Sequence, residues 1–209
     1  MSRPDPVTAA KRVDLALFRW TARRPGPVLD RVMPVLSHAA DFSRLWLAIA
    51  ALLGLSGRQR WRRAAGRGLL AVALASLTAN VAAKLSVRRG RPPLGVVPAA
   101  RRVRRMPVTT SFPSGHSASA AAFAVAVALE APELAAPVGA LATAVAWSRV
   151  WTGAHYPSDV LAGTALGAAA AAITRRRRRG DHPTSPAPPA GVWVSAGAPK
   201  IRDGDHLVR

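Results

Sequence analysis

Apolar runs dominate the sequence between Leu45 and Ile173, and short charged segments separate them. Five runs are uncharged except for Lys84 in the second: Leu45–Leu55, Gly68–Val87, Ser117–Leu129, Leu134–Trp147 and Val160–Ile173. Only Gly68–Val87 reaches the length of about 20 residues that an ordinary transmembrane helix needs. By length alone, the other four runs fit either membrane helices or the buried helices of a soluble bundle. Their many alanines and glycines allow helix backbones to approach closely in a membrane bundle.

The two ends of the chain differ from this central part. In the first 42 residues, five prolines interrupt two short amphipathic stretches, Val13–Trp20 and Val28–Ala40. Neither stretch is apolar enough to span a bilayer, so residues 1–42 are predicted to form interfacial amphipathic helices or helices packed on a bundle. Residues 43–179 are predicted to be the membrane domain. Residues 180–209 are rich in Pro, Gly, Ser and Ala and predict a disordered tail.

Charge placement favours a membrane bundle. The 209 residues include 30 Lys and Arg but only 10 Asp and Glu, which gives a net charge of +20. Between Asp41 and Asp159 the only acids are Glu130 and Glu133, whereas arginines fill segments 58–67, 88–105 and 175–179. Soluble helices usually carry mixed charge on an outer face, and these apolar runs do not. We therefore predict an all-α, multi-pass transmembrane helical bundle.

The positive charge alone defines neither orientation nor partner. If all five runs cross, segments 58–67 and 175–179 share one side and segments 88–112 and 149–158 share the other. Both sides are basic, so the positive-inside rule gives no orientation. Nucleic acid, anionic lipid and a phosphate-bearing substrate all remain possible partners. Loop arginines Arg101, Arg102, Arg104 and Arg105 either attract anionic headgroups or form a solvated surface. The chain has no cysteine, which excludes disulfides, cysteine zinc sites and a thiol nucleophile.

Two sequence motifs have the chemistry of an anion site. Lys84 lies near the end of the longest apolar run, where an ammonium group needs a polar cavity or partner, and Arg91-Pro92 follows. Pro113-Ser114-Gly115-His116 opens another apolar run. A helix N-terminus presents backbone N–H groups that favour an anion, and His116 lies in that first turn. Taken singly, Lys84 is explained equally well as a snorkelling lysine, and the Ser-Gly-His turn is explained better as an ordinary helix cap.

A third motif adds a candidate nucleophile. Ser148-Arg149 is followed by His155 and Asp159, four residues apart. A carboxylate near an imidazole fixes its tautomer and raises the nucleophilicity of the opposite nitrogen. In the predicted topology all three motifs lie on one side, with three cations around two histidines and one carboxylate. That set lacks the ligand cluster that Mg²⁺ or Zn²⁺ requires, so it predicts metal-free phosphate binding and attack by a histidine.

In residue type, spacing and order these motifs resemble the three-part motif of the type 2 phosphatidic acid phosphatase superfamily. The motifs are Lys84-x6-Arg91-Pro92, Pro113-Ser114-Gly115-His116 and Ser148-Arg149-x5-His155-x3-Asp159. The superfamily includes membrane lipid phosphatases, bacterial acid phosphatases and vanadium haloperoxidases. The resemblance implies a bundle of about six helices, one drawn from the first 42 residues. The sequence also resembles the phosphatase half of actinobacterial proteins that fuse this domain to a lipid kinase, although no kinase pattern follows Arg179.

The resemblance also implies a role for each motif residue. His155 would be the nucleophile that forms a phosphohistidine, Asp159 would orient it, and His116 would be the general acid. The phosphate oxygens would be held by Lys84, Arg91, Ser114, Gly115 and Arg149. Neither a metal nor another cofactor is implied.

The expected function is a metal-independent phosphatase acting on a lipid phosphate or diphosphate, such as phosphatidate or polyprenyl diphosphate. We expect it in the cell membrane among membrane lipids, with the active site at the extracytoplasmic face and no nucleic-acid partner. Its oligomeric state is left open. One alternative is a haloperoxidase-like enzyme that holds vanadate in the anion site. The other is a non-enzymatic basic membrane-binding protein, whose function would not depend on His155.

Overall fold

The computed structural model describes residues 5–85, 89–103 and 110–180, without the side chains at 6–7, 82–85 and 176–180. This part of the chain contains seven α-helices and no strand. The helices are α1 (Pro6–Arg23), α2 (Pro27–Ala39), α3 (Arg44–Leu55), α4 (Gln59–Leu85), α5 (Gly115–Glu130), α6 (Ala135–Trp151) and α7 (Pro157–Gly180). The prediction of an all-α fold is confirmed, and the first 42 residues supply two helices, α1 and α2.

Helix α5 forms the centre of the bundle and packs against α4, α6 and α7. Every residue from Ser117 to Val127 except Val125 is buried. A helix with apolar and small residues on all sides suits such a position, because no side faces water. Its 16 residues extend about 24 Å, less than the bilayer core of about 30 Å. Phe123 anchors the core, with its ring centroid 5.3 Å from that of the buried Trp46 on α3.

Two glycines on α7 set its close packing against α5. A Cβ atom at Gly163 would lie 2.3 Å from the Ser114 carbonyl oxygen, and one at Gly167 would lie 2.1 Å from that of Ala118. Small residues four apart allow this backbone approach. The contact aligns the first turns of the two helices, and the Ser114 amide donates a hydrogen bond of 3.0 Å to the Asp159 carbonyl. Two of the sequence motifs are thereby joined.

The opposite end of the bundle contains the two glutamates of the central region. Arg60 Nε donates to the Glu130 carbonyl at 2.6 Å, and Arg67 forms an ion pair with the Glu130 carboxylate. Trp61 Nε1 donates to the Glu133 carboxylate at 2.9 Å. These contacts join the start of α4 to the end of α5, so part of the arginine-rich segment 58–67 has a structural role.

The outer surface of the bundle is apolar. Large exposed side chains include Leu52, Leu55, Leu70, Leu77 and Leu161. Among the described helices, α4 alone includes a stretch long and apolar enough to cross a membrane, Gln59–Val81, with mean hydropathy 1.3. Helix α2 together with Asp41–Leu55 also passes that test, but the pair is bent by 62°. Length and composition thus identify one candidate membrane span, α4. There are two candidates if α2 and Asp41–Leu55 together form a single bent span.

Helices α1 and α2 bury polar side chains together with apolar ones and leave large apolar side chains exposed. On α1, Val13, Leu17 and Trp20 are exposed, whereas Asp14 and Thr21 are buried. On α2, exposed apolar side chains recur with the same spacing (Val28, Val32, Val35), and Ser37 is fully buried. Both helices pack on α6, and α1 also contacts the start of α7. They therefore cover the end of the bundle where the motifs lie.

Arg101 lies at the end of α1 and not on an open loop surface. It is 2% exposed, donates to the Ala22 carbonyl at 3.2 Å and forms an ion pair with Asp30 at 2.6 Å. A cation at a helix C-terminus satisfies free carbonyls and complements the helix dipole. The expectation that Arg101 attracts headgroups or lies on a solvated surface is therefore wrong. Arg102 is exposed, and Arg104 and Arg105 lie outside the described residues.

Candidate active site

His155 lies in the short connection between α6 and α7 and is 4% exposed. The amides of Ala154 and His155 both donate to the Arg149 carbonyl at 3.0 Å, which turns the chain back after α6. Gly153 permits this turn because its φ of +73° lies in the left-handed region. A Cβ atom there would also lie 2.9 Å from Val97, so the position excludes larger residues.

A backbone carbonyl determines the tautomer of His155. Its Nδ1 lies 2.7 Å from the Ser111 carbonyl oxygen, which can only accept, so Nδ1 carries the proton. Neutral His155 therefore has its lone pair on Nε2. Burial lowers the pKa of His155, and the charges of Arg149 and Arg91 lower it further, whereas Asp159 partly offsets this lowering. The ring is consequently neutral and nucleophilic at neutral pH.

Asp159 is completely buried and supports His155 from a greater distance than expected. Its Oδ2 lies 3.8 Å from His155 Nδ1, which is too long for a hydrogen bond. Oδ2 instead accepts from the Tyr156 amide at 2.9 Å, and Oδ1 accepts from Arg89 at 2.7 Å. Asp159 therefore fixes the backbone beside His155 and acts on the ring through its charge, while the Ser111 carbonyl makes the direct contact.

Arg89 is a site residue that the sequence analysis missed. Its guanidinium joins Asp159, Ser158 Oγ at 2.7 Å and Asp14 on α1, and lies 4.5 Å from the centroid of the Tyr156 ring. Asp14 also accepts from the Ser158 amide at 3.0 Å. This network attaches α1 to the first turn of α7. Arg89 lies two residues before the motif residue Arg91, and Asp14 shares a helical face with Phe18 and Thr21. A charged residue on the same helical face as Phe18 is the sequence feature that could have indicated this network.

Two of the three predicted phosphate-binding cations have described side chains. Arg149, in the last turn of α6, is 2% exposed and donates to Ser37 Oγ of α2. Arg91 NH1 donates to the Ala154 carbonyl at 2.7 Å, directly before His155. Lys84 lies in the last turn of α4, and its side chain lies outside the described residues. The site therefore combines a buried histidine with at least two arginines.

The start of α5 combines a capped turn with open space. Ser114 is fully buried, and its Oγ accepts from the Ser117 amide at 3.4 Å and from Ser117 Oγ at 2.9 Å. This hydroxyl thus caps α5. Gly115 is exposed, and apart from its chain neighbours and the backbone of α5 no atom lies within 4 Å of the place where its Cβ would be. The first amides of the helix are therefore approachable by an anion.

His116 has a carboxylate partner outside the three motifs. Its Nε2 lies 2.8 Å from Asp41 Oδ1, in the turn between α2 and α3. Asp41 Oδ2 in turn lies 3.0 Å from His38 Nδ1. The described residues include no group of three or more His, Cys, Asp or Glu side chains that could hold a metal ion.

The sequence and the fold both match known proteins. The model of the PAP2 superfamily matches residues 65–181. The decaprenylphosphoryl-5-phosphoribose phosphatase of Mycobacterium tuberculosis is 39% identical over 141 residues, which cover 66% of this chain and 74% of that protein. The lipid A 1-phosphatase of Rhizobium johnstonii is 52% identical over 58 residues, covering 28% of this chain and 24% of that protein.

Two crystal structures share the fold. The transmembrane PAP2-type phosphatidylglycerolphosphate phosphatase of Bacillus subtilis gives a TM-score of 0.63 at 24% identity, covering 83% of this chain and 88% of that one. LpxE of Aquifex aeolicus gives a TM-score of 0.63 at 20% identity, and the match covers 78% of this chain and 95% of that one.

These matches define a class of helical membrane phosphatases, and the site geometry is compatible with that chemistry. The chain belongs to the PAP2 superfamily, because the family model covers more than half of its length. The predicted family and its phosphatase activity are thereby confirmed.

Proposed function

We propose that this protein removes the phosphate group from a lipid phosphomonoester through a phosphohistidine at His155. The observation that carries the proposal is the state of that ring. It is buried, its Nδ1 donates to the Ser111 carbonyl, and Nε2 therefore retains the lone pair. The charges of Arg149 and Arg91 act on the same ring. This is the arrangement that a histidine nucleophile needs for attack on phosphorus.

In the first step His155 Nε2 attacks the phosphorus atom. The N–P bond forms while the bond to the lipid oxygen breaks. His116, which takes up a proton beside the bound phosphate dianion, gives that proton to the departing oxygen. In this proposal Arg91, Arg149 and the first amides of α5 bind the three equatorial oxygens, where charge accumulates in the transition state. Lys84 and the Gly115 amide are proposed to bind the same oxygens. The Ser114 hydroxyl contributes indirectly, because it caps α5 and so fixes the first turn of that helix.

In the second step water attacks the phosphohistidine. Neutral His116 accepts the proton of that water, the N–P bond breaks, and inorganic phosphate leaves. His155 regains its lone pair and His116 its proton. One lipid phosphate and one water have become one lipid alcohol and one phosphate.

The proposed substrate is a polyprenylphosphoryl sugar phosphate. The relative that matches 141 residues is named for decaprenylphosphoryl-5-phosphoribose, whereas the lipid A 1-phosphatase matches only 58. The two names share a terminal phosphate monoester on a lipid-linked sugar. Phosphatidate and polyprenyl diphosphate are the substrates to compare with it.

We propose a multi-pass topology with the site at the extracytoplasmic face. The exposed apolar side chains of α3, α4 and α7 support contact with lipid. The outward stripes of α1 and α2 support a position at the membrane surface for residues 1–42, with residues 43–179 as the membrane domain. Of the predicted tail, 180–209, Gly180 ends α7, and residues 181–209 lie outside the described part of the chain. Arginine-rich segment 58–67 would face the cytoplasm.

Phosphate release tests the activity. Purified protein in detergent with EDTA is given the polyprenylphosphoryl sugar phosphate, phosphatidate and polyprenyl diphosphate. We expect release from the sugar phosphate first, and loss of at least a thousandfold in His155→Ala, because the nucleophile is removed. Release that is unaffected by His155→Ala would refute the mechanism. Halide oxidation with added vanadate, or no reaction at all, would instead support the alternatives.

Labelling tests the orientation. Because the chain has no cysteine, single cysteines are unique reporters. In intact cells an impermeant maleimide should label Gly95→Cys, at the site end, and should not label Arg63→Cys, near the start of α4. The reverse pattern would overturn the proposed topology.

A further inference from the structure

A carboxylate from outside the three motifs lies directly against the proposed general acid. Asp41 begins the turn between α2 and α3, 75 residues before His116, and its Oδ1 lies 2.8 Å from His116 Nε2. We propose that Asp41 is the positioning residue of His116: it fixes the ring and stabilises the proton that the leaving oxygen takes. The proposal rests on the phosphatase function proposed above and adds a residue to its site.

The contact determines which nitrogen of His116 exchanges protons with the substrate. A carboxylate only accepts, so His116 Nε2 carries a proton while the contact lasts. In the imidazolium form, Nδ1 then holds the second proton and donates it to the leaving oxygen. After donation the lone pair is on Nδ1, ready to accept the proton of the attacking water. Asp41 thus maintains one tautomer through both steps.

The charges around His116 make this carboxylate necessary. Burial of the ring is the strongest influence against a positive charge on His116, and Arg149 of α6 and His155 of the α6–α7 connection add to it. The net effect lowers the pKa of His116 to about 4. Asp41 is the facing group that favours the positive charge. An acid placed between a buried arginine and a second histidine loses its proton readily unless a carboxylate compensates.

A second histidine holds the Asp41 carboxylate in place. His38, at the end of α2, lies 3.0 Å from Asp41 Oδ2 through its Nδ1. Its side chain is 75% exposed, whereas that of His116 is 20% exposed. Both carboxylate oxygens are therefore engaged, one toward solvent and one toward the site. The pattern is a histidine oriented by a carboxylate that is itself oriented by a further group.

The backbone after Asp41 adopts an unusual conformation. Phe42 and Ser43 have φ of 53° and 60°, in the left-handed region that residues other than glycine seldom enter. Phe42 is 84% exposed, so burial of its side chain does not account for this conformation. Such residues cluster at functional sites. Here they form the sharp connection between α2 and α3 that places Asp41 beside α5.

Two substrates with different leaving groups test the role of Asp41. An alkyl phosphomonoester, such as phosphatidate, needs a proton on its departing oxygen, whereas p-nitrophenyl phosphate leaves as a stable anion. General acid catalysis contributes about 10²- to 10⁴-fold. We therefore expect Asp41→Asn to lower kcat on the alkyl ester roughly 10- to 100-fold, and on the aryl ester by less than about threefold. The alkaline limb of the alkyl-ester profile should move to lower pH.

Asp30→Asn is the matched control. Asp30 lies in the first turn of α2, eleven residues before Asp41. It accepts from Trp151 and pairs with Arg101, and no contact joins it to His116. This variant should change both substrates by the same factor. Equal losses on both substrates in Asp41→Asn, or no loss, would overturn the role of Asp41. Failure of the proposed function is a separate result, namely wild-type hydrolysis that does not depend on His155.

His38→Gln gives an independent measurement if Asp41→Asn fails to fold. His38 is exposed, so the fold should tolerate the change. Without its second partner the carboxylate is held less firmly, and we expect a loss of about two- to fivefold on the alkyl ester alone, a small part of the general-acid contribution. If the pH profile and the ratio of kcat on the alkyl ester to kcat on the aryl ester are both identical to those of wild type, the proposal is contradicted.

Discussion

The two ends of the helical bundle use the same kinds of charged residues for different purposes. At one end Asp14, Asp159 and Arg89 form a network that is largely removed from solvent, beside His155. At the other end Arg60, Trp61 and Arg67 contact Glu130 and Glu133. Ion pairs that are exposed contribute little to stability, whereas buried charges require every partner. Arg67 and Glu130 are also largely buried, with side chains 10% and 17% exposed, against 24% for Arg89. Position beside His155, more than residue type or burial of the arginine, therefore separates a catalytic network from a structural one.

The largest difference between the ends should come from removing a single arginine. Arg149→Ala deletes a buried donor proposed to bind the transferring phosphoryl group. We expect kcat/KM to fall about 10²- to 10³-fold, the usual effect of losing one such donor. Arg60→Ala, at the opposite end, should leave kcat/KM unchanged. Steady-state phosphate release measures both, and a loss below tenfold for Arg149→Ala would contradict its assignment.

Two further arginines compare the networks directly. Arg89→Met and Arg67→Met each remove one partner of an ion pair and leave a carboxylate behind. We expect Arg89→Met to lower the stability of the fold by about 3 kcal/mol, because Asp14 and Asp159 are buried, and to reduce kcat about tenfold. Arg67→Met should lower thermal stability without changing kcat per folded molecule. Thermal midpoints in detergent together with kcat provide the measurement, and equal kcat values would remove the distinction between the ends.

The packing of α5 on α7 offers a smaller perturbation. At Gly163 a methyl group would lie 2.3 Å from the Ser114 carbonyl oxygen, whereas the position of Gly66 on α4 is open. Overpacking costs about 1–3 kcal/mol, and alanine in an open helical position gains up to about 1 kcal/mol over glycine. Gly163→Ala should therefore lower the thermal midpoint and Gly66→Ala should raise it. A Gly163→Ala variant as stable as wild type would show that the helices are not in such close contact.

The smallest expected effect is on the pH dependence of kcat/KM. His155 attacks only when it is neutral, and burial moves its pKa below the ordinary value of about 6.5. The rate rises as His155 loses its proton, so the acidic limb should have its midpoint below pH 6.5. Removing the charge of Arg91 should move that midpoint upward, because Arg91 also lowers this pKa. A wild-type midpoint above 6.5 would mean that the ring is less buried than the structure indicates.

The sequence predicted the parts of the site that are local in the chain. Spacing within the three motifs brought together His116, Arg149, His155 and Asp159, because helix starts and ends determine where such residues lie. Partners supplied by tertiary packing had no comparable signal. Asp14 and Asp41 occur in the first 42 residues, where the pattern predicted amphipathic helices but not which polar side chains face the bundle.

Arg101 shows a second limit of prediction from the sequence. Its neighbours in the sequence are basic, which predicted a substrate-attracting or solvated surface, yet its guanidinium is buried against the end of α1. Sequence composition cannot show which member of an arginine cluster finds a buried partner. Only the packing of α1 against that segment distinguishes Arg101 from Arg102.

The central claim is that His155 forms the covalent intermediate, and trapping that intermediate tests it most directly. Protein mixed with a ³²P-labelled lipid phosphate and quenched within milliseconds should retain label that is stable to base and labile to acid, on a peptide containing His155. His155→Ala should retain none, and Asp41→Asn should form the intermediate more slowly. Label on another residue, or rapid hydrolysis with no trapped phosphohistidine under any quench, would contradict the account.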